Sequence, residues 1–159
     1  MGKEIERKFL VKKQLWKRTS ASRSYFEHCV QGYLSDNSRG VVRVRQMGSK
    51  GFITVKGRAD GMSRSEYEYE IPLQDAQEII DSMCTKLVRK NRYTGRYPDE
   101  WIVDDYIGEN TGLIVAEIEL KSPSQKFKRP VWVGKEVTED PRYSNSNLAK
   151  HPYRQWGKK

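Results

Sequence analysis

The sequence has few of the residues that build zinc sites and redox motifs. The two cysteines, Cys29 and Cys84, lack the second pair that a zinc site needs and form no CxxC redox motif, so both are predicted to be free thiols. The two histidines, His28 and His151, are equally isolated. A lone histidine is a weak indication of a ligand, so both are predicted to lie on the surface.

Long hydrophobic runs are also missing. The longest apolar stretches, such as residues 112–116, are far too short to cross a bilayer, and the N-terminus lacks the apolar run of a signal peptide. These absences predict a soluble, cytoplasmic protein with no membrane partner. The length of 159 residues is within the usual size of one domain, so a single domain over residues 1–159 is expected.

Acidic residues are outnumbered by basic ones, and the formal net charge is +9. This excess predicts an anionic partner: a nucleic acid, an acidic surface or a phosphorylated small molecule. An RNA-binding protein is the less favoured choice, because no RNP-type or KH-type signature is present and much of the basic charge alternates with β-branched residues. A small phosphorylated partner therefore fits better than nucleic acid.

Alternation of charged and apolar residues is the main pattern that is present. A period of two is typical of strands with one apolar and one polar face. The alternating segments are 4–11, 29–34, 41–45, 52–56, 66–71, 88–92, 101–106 and 116–121. Clusters of Gly, Ser, Asn and Asp separate them, which predicts antiparallel hairpins and meanders. One helix with an apolar stripe is predicted from Leu73 to Leu87, and a shorter one from Asn145 to Lys150.

The charged faces are sorted by sign, unlike the mixed polar face of a sandwich that meets water. Residues that share a face lie about 6.6 to 6.8 Å apart, so two carboxylates can converge on one cation. Like charges about 4 Å apart repel by roughly 4 kcal/mol at an effective dielectric of 20, so a crowd of cations needs anions among it. Inside a closed barrel, a polyphosphate would supply anions for the Arg and Lys side chains, and a divalent metal would supply a cation for the carboxylates. The inward set would be Glu4, Glu6, Lys8, Arg43, Arg45, Lys56, Glu66, Glu68, Glu70, Lys90, Arg92, Asp104, Glu117, Glu119 and Lys121.

A series of segments resembles, in order, the landmarks of the CYTH superfamily, also called triphosphate tunnel metalloenzymes. They are EIERKFLV, QGYL, VRVR, ITVKG, SRSEYEYEI, VRKNRY, GLIVAEIEL and GKEVTEDPRYSNSNLA, and they run over nearly the whole chain. ExExK alone is common by chance, but ExExK near the N-terminus followed by this series is specific. The resemblance implies an α+β fold dominated by β, an eight-stranded antiparallel closed barrel with helices packed outside.

The resemblance also implies residue roles and a metal. One or two Mg²⁺ or Mn²⁺ ions would be bound by Glu4, Glu6, Asp104, Glu117 and Glu119. Phosphate would be bound by Lys8, Arg43, Arg45, Lys56, Lys90 and Arg92, to which the alternation adds Lys121. Catalysis would fall to Glu4, Glu6 and Lys8 at the reacting end. Supporting roles would fall to Glu66, Glu68 and Glu136.

One residue departs from the family pattern. The family strand usually reads Trp-Glu-Val-Asp, whereas this chain has Trp101-Ile102-Val103-Asp104. An isoleucine therefore stands where a tunnel-facing carboxylate is expected. The loss of that carboxylate bears on metal affinity and on substrate choice.

The expected function is metal-assisted hydrolysis of a triphosphate, with inorganic tripolyphosphate as the first choice of substrate and pyrophosphate and phosphate as products. Thiamine triphosphatase and class IV adenylate cyclase are alternatives, although no segment clearly orients a ribose hydroxyl. A non-catalytic polyphosphate-binding module is a further alternative, against which the intact Glu4, Glu6 and Glu119 argue. The oligomeric state stays open, with a homodimer as one candidate.

Overall fold

The structure is a computed structural model that describes residues 2–157. The strands are β1 Gly2–Val11, β2 Glu27–Asn37, β3 Gly40–Met47, β4 Lys50–Gly57, β5 Ser63–Ile71, β6 Leu87–Arg96, β7 Glu100–Ile107, β8 Ile114–Glu119 and β9 Val133–Glu136. The helices are α1 Lys13–Lys17, α2 Leu73–Met83 and α3 Asn145–Lys150. Short 3₁₀ turns cover Ala21–Arg23, Gly108–Asn110, Pro141–Tyr143 and Tyr153–Gln155.

Eight of the strands close into an antiparallel barrel in the order β1-β5-β4-β3-β2-β6-β7-β8 and back to β1. β1 closes the barrel because it pairs with β5 through Gly2–Ile5 and with β8 through Glu6–Leu10. The predicted eight-stranded barrel is thus confirmed. β9, which the alternation did not predict, pairs with β1 at Phe9 and Val11, beyond the point where β5 ends its pairing.

The register places the charged residues on the inner face. Residues directly opposite each other in an antiparallel ladder share a face. Lys8 lies opposite Glu117, which lies opposite Ile102, and Arg92 lies opposite Asp104. Charged members of this face are largely removed from solvent: Arg43, Arg45, Lys90, Asp104 and Glu117 are all buried. The barrel therefore encloses a charged tunnel.

The outer faces are apolar and are covered in patches. α2 packs Ala76 and Ile80 against Val44 of β3. A second cluster, around Phe9 and Trp101, covers the outer side of β1, β7 and β8 and includes residues of α1 and β9. Burial of these side chains supplies the hydrophobic stabilisation that a charged interior cannot.

Helix α2 ends earlier than predicted. The predicted helix runs from Leu73 to Leu87, with an apolar stripe formed by Ala76, Ile79, Ile80 and Met83. In the structure the helix ends at Met83, Cys84 is already extended, and Leu87 pairs with Gly32 as the first residue of β6. Pairing with β2 is therefore favoured over continuation of the helix at Leu87.

Helix α3 has the predicted bounds, but it closes one end of the barrel instead of packing on the outside. Leu148 packs among Val88, Tyr106 and Val115, all of which lie on the inner face by register. Asn145 at the start of the helix accepts hydrogen bonds from Lys90 Nζ at 3.1 Å and from the Tyr106 hydroxyl at 2.8 Å. The helix is therefore tied to the charged interior.

The cysteines and histidines within residues 2–157 lie as the sequence predicts. Cys29 and Cys84 are free thiols, and both His28 and His151 are exposed, as predicted. No helix in this part of the chain is long and apolar enough to span a membrane.

Candidate active site in the barrel

A buried ion cluster is built around Asp104. Its carboxylate accepts from Arg92 Nε at 2.8 Å and Arg92 Nη2 at 2.9 Å, and it lies 2.8 Å from Lys90 Nζ. Burial alone would favour the neutral acid, but Arg92 and Lys90 hold the pKa of Asp104 well below its usual range. The structure thus places Asp104, a predicted metal ligand, in direct contact with two predicted phosphate-binding cations.

A second group of cations shares the carboxylate of Glu68. Arg43 Nη2 and Arg45 Nη2 lie 3.4 Å and 3.2 Å from Glu68 Oε2, and the Thr54 hydroxyl donates to the same oxygen at 2.7 Å. Burial, followed by repulsion from Arg43 and Arg92, lowers the pKa of Arg45 to about 10. The cations therefore outnumber their local counter-charge.

The two arginines also keep unused hydrogen-bond donors. Nε of Arg43 and Nε of Arg45 are buried and have no partner among the described residues. An unsatisfied buried donor costs about 1–3 kcal/mol. Phosphate oxygens, like carboxylate oxygens, are acceptors that arginine binds strongly, so this part of the tunnel fits a polyanion.

Lys56 and Lys8 connect these cations to a set of carboxylates. Lys56 Nζ lies 3.0 Å from Glu4 and 3.1 Å from Glu66, while Lys8 Nζ lies 3.5 Å from Glu6 and 4.0 Å from Glu117. Burial acts to lower the pKa of Lys8, but Glu6, Glu117 and Glu4 together raise it above its ordinary value. Lys8 is therefore a stable cation at neutral pH.

The carboxylates Glu4, Glu6 and Glu66 repel the carboxylate of Glu119. Burial, together with the charges of Glu4, Glu66 and Glu6, raises the pKa of Glu119. Within residues 2–157, no three acidic, histidine or cysteine side chains are arranged so that they could hold a metal ion by themselves. Carboxylate oxygens are the ligands that hard divalent cations prefer, and such an ion would relieve the repulsion at Glu119. The chemistry of these donors, although not their present arrangement, therefore suits a divalent metal.

The two ends of the tunnel differ in charge. At the end where β1 begins, a cavity of 400 Å³ is lined by several carboxylates, and we call it the acidic mouth. Its carboxylates are Glu4, Glu66, Glu68 and Glu119. At the opposite end, beside α3, a cavity lined by four cations and one carboxylate, Glu6, forms the basic mouth. Its cations are Lys8, Arg43, Lys56 and Arg64. A polyanion is attracted to the basic mouth and a metal cation to the acidic one.

Comparison with known proteins identifies the family. The CYTH domain model matches residues 2–153. The chain belongs to the CYTH family.

Its similarity to individual CYTH-type proteins extends over most of the sequence. The curated inorganic triphosphatase of Acetivibrio thermocellus is 47% identical over 156 residues, which is 97% of each chain. The inorganic triphosphatase of Nitrosomonas europaea is 36% identical over 154 residues, covering 92% of this chain and 96% of that one. A crystal structure of an inorganic triphosphatase matches with a TM-score of 0.62 at 33% identity, covering 92% of this chain and 97% of the other.

Two predicted site residues of this CYTH domain lie away from the tunnel. Lys121 is exposed on a bend, because β8 ends at Glu119 and the alternation does not continue past it. Glu136 lies in β9 and pairs with Arg7, whose side chain is on the outer face of β1. Ile102, by contrast, shares the inner face with Glu117, which agrees with the predicted orientation.

Two further residues of the CYTH tunnel were not among the predicted site residues. Tyr33 lines the basic mouth, and its hydroxyl accepts from Gln31 Nε2 at 2.7 Å. Burial raises the pKa of Tyr33, so the hydroxyl stays protonated at neutral pH. Arg64 also lines this mouth and lies opposite Glu4 in register. The period of two that identified Glu66 extends back to Arg64 and could have found it.

Proposed function

We propose that this chain is an inorganic triphosphatase that hydrolyses tripolyphosphate to pyrophosphate and phosphate, with Mg²⁺ or Mn²⁺ as its metal. The observation that carries the proposal is the inner face of the barrel, where buried arginines with unsatisfied donors adjoin carboxylates that repel one another. A metal-bound polyphosphate supplies the missing partner to both groups. The two curated relatives, both named inorganic triphosphatases, support the same activity.

The substrate would be bound by cations whose positions are fixed by ion pairs with carboxylates. Asp104 fixes Arg92 and Lys90, while Glu68 fixes Arg43 and Arg45. Cations that are positioned before the substrate arrives need little reorganisation as charge develops on the phosphate oxygens. Asp104 therefore acts as the anchor of two phosphate-binding residues, and its oxygens are directed at them.

The metal is assigned to Glu4, Glu6 and Glu119, with Glu117 next to them. A divalent ion held there would neutralise phosphate oxygens and lower the pKa of a bound water for attack on the terminal phosphorus. Glu119 must lose its proton to bind the ion, and its raised pKa makes this step sensitive to mild acid.

Lys8 acts as a fixed positive charge at the reacting end. Its Nζ lies between Glu6 and Glu117, and its raised pKa keeps the proton on nitrogen. A protonated lysine stabilises charge on phosphate oxygens and does not serve as a base. No covalent intermediate with the protein is needed.

The alternative activities are not favoured. Adenylate cyclase and thiamine triphosphatase would use the same tunnel for organic triphosphates, and a binding module would hold polyphosphate without cleaving it. A panel of tripolyphosphate, ATP, thiamine triphosphate and pyrophosphate, each with Mg²⁺ or Mn²⁺, separates these functions. We expect phosphate release to be fastest from tripolyphosphate and to be lost in Glu6→Ala. Formation of cyclic AMP, or full turnover in EDTA, would contradict the proposal.

A further inference from the structure

The backbone of Lys8 is held from outside the barrel by residues 137 and 138. β1 pairs with β5 only as far as Ile5, and its pairing with β9 begins at Phe9. In the interval between these two ladders, the Lys8 N–H donates to the Thr138 hydroxyl at 3.0 Å, and the Lys8 carbonyl accepts from Val137 N–H at 2.8 Å. Both backbone polar groups of Lys8 are thus bonded to one short segment.

The Thr138 hydroxyl is itself oriented by Glu136. It donates its proton to Glu136 Oε2 at 2.5 Å, so its lone pairs are left to accept from Lys8 N–H. Glu136 also accepts from Arg7 Nε at 2.8 Å, and the Arg7 guanidinium lies over the ring of Phe127 at 5.0 Å. A continuous chain of hydrogen bonds therefore joins Lys8 to an ion pair on the outer surface.

The wall beside Lys8 is open on this side. A cavity of 380 Å³ lies there, lined among others by Lys8, Met62 and Thr138. Packing is therefore a weaker restraint on Lys8 than in a fully paired part of β1. Hydrogen bonds from residues 137 and 138 supply that restraint.

We infer that Thr138 and Glu136 are positioning residues that set where Lys8 Nζ lies in the tunnel. This inference rests on the proposed function, in which the Lys8 cation stabilises charge on the phosphate. A displacement of about 1 Å at a group that acts on the reacting atoms can cost about a hundredfold in rate. Loss of the Thr138 hydroxyl lowers turnover through Lys8, although Thr138 itself does not touch the substrate.

The test uses Thr138→Val, which keeps the shape of the side chain and removes the hydroxyl. Thr138→Ser, which keeps the hydroxyl, is the matched control. With tripolyphosphate and saturating metal, we expect Thr138→Val to lower kcat by about tenfold, the value of one such hydrogen bond, while KM changes little. Thr138→Ser should restore most of the lost turnover. Equal loss in both variants, or no loss in Thr138→Val, would overturn the inference.

A double-mutant cycle with Lys8→Ala separates positioning from a general structural effect. If Thr138 acts through Lys8, Thr138→Val causes no further loss in the Lys8→Ala protein, measured with excess enzyme in a single turnover. The same tenfold loss in both backgrounds would overturn the inference and leave the proposed function standing. Full activity of Lys8→Ala alone would overturn the role of Lys8 and, with it, this inference.

Glu136→Gln provides a second variant should Thr138→Val unfold. It leaves the Thr138 hydroxyl in place and removes the charge that orients it. We expect a kcat loss smaller than that of the valine variant, and again none in the Lys8→Ala background. A loss that persists there would overturn the inference.

Discussion

Arg92 binds both carboxylate oxygens of Asp104, through Nε at 2.8 Å and Nη2 at 2.9 Å. This two-point contact fixes the plane of the guanidinium within the tunnel. Asp104 is completely buried, so the pair is shielded from solvent. The geometry connects the stability of the barrel to the placement of Arg92, for which we propose a role in phosphate binding.

Asp104→Asn tests that connection. Removing one charge of a buried pair typically costs about 3–5 kcal/mol, because the partners are left without a counter-charge. We expect a large drop in the free energy of unfolding, measured with denaturant, and weaker binding of tripolyphosphate. Asp105→Asn, which changes the neighbouring residue on the opposite face, is the control and should behave nearly as the native protein does. Equal behaviour of the two variants would contradict the role of Asp104.

The pH dependence of stability follows from the same pair. The folded-state pKa of Asp104 is depressed, so its contribution is present above the unfolded pKa of about 3.9 and is lost as pH falls through the folded-state pKa. The free energy of unfolding of the native protein should therefore decrease as the pH falls through this range. In Asp104→Asn that part of the acid sensitivity should be absent, which unfolding curves at a series of pH values would measure.

The stabilisation of the protein by a bound metal should depend on pH through Glu119. Its folded-state pKa is raised, so its contribution to stability is present below the unfolded pKa and is lost as pH rises through the folded-state value. A bound divalent ion offsets this loss because it needs the ionised carboxylate. The rise in Tm on adding Mg²⁺ or Mn²⁺ should therefore grow as the pH is raised from the ordinary Glu pKa of about 4.3 through the higher folded-state pKa of Glu119. Glu119→Gln should flatten this trend, and an unchanged trend would argue against Glu119 as a ligand.

Removal of the Arg64 side chain should weaken the binding of tripolyphosphate. Its guanidinium donates to the Gly57 carbonyl at 2.9 Å at the rim of the basic mouth. Arg64→Ala should raise KM for tripolyphosphate by about tenfold, as expected for one charge-assisted hydrogen bond, with a smaller effect on kcat. Arg89→Ala, which removes the same charge from the outer face of β6, serves as the control. If both variants raise KM equally, net charge and not the mouth is responsible.

Substitution of Ile102 by an acidic residue should raise the affinity for metal. The side chain lies opposite Glu117 on the inner face, so Ile102→Glu adds a carboxylate to the donor set. We expect the metal concentration for half-maximal activity to fall, because an added carboxylate raises the negative charge of the donor set. Ile102→Gln adds similar bulk without charge and should not produce this fall. Identical metal titrations for the two variants would contradict the orientation of residue 102.

Much of the barrel was predictable because alternation is a local signal. A strand such as β3 shows Arg43 and Arg45 on one face within a few residues, whatever its neighbours are. β9 escaped prediction because it has four residues and little alternation. Lys121 was placed in the tunnel because the pattern was extended two residues beyond the end of β8.

The partners of the charged residues were not predictable in the same way. Asp104 is predicted to bind metal, and its contacts with Arg92 and Lys90 follow from register and burial, which the sequence pattern does not show. Which inner-face residues meet depends on how strands distant in sequence are aligned, and that information is spread over the whole barrel. The position of α3 at one end of the tunnel is likewise a property of the closed structure.

The most direct test of the proposed hydrolysis is phosphorus NMR of tripolyphosphate incubated with the native protein. With Mg²⁺ or Mn²⁺ present, we expect the native protein to produce equal amounts of pyrophosphate and phosphate, and we expect no reaction in EDTA or with Glu6→Ala. Intact tripolyphosphate in the presence of metal, or cleavage that persists in EDTA, would contradict it.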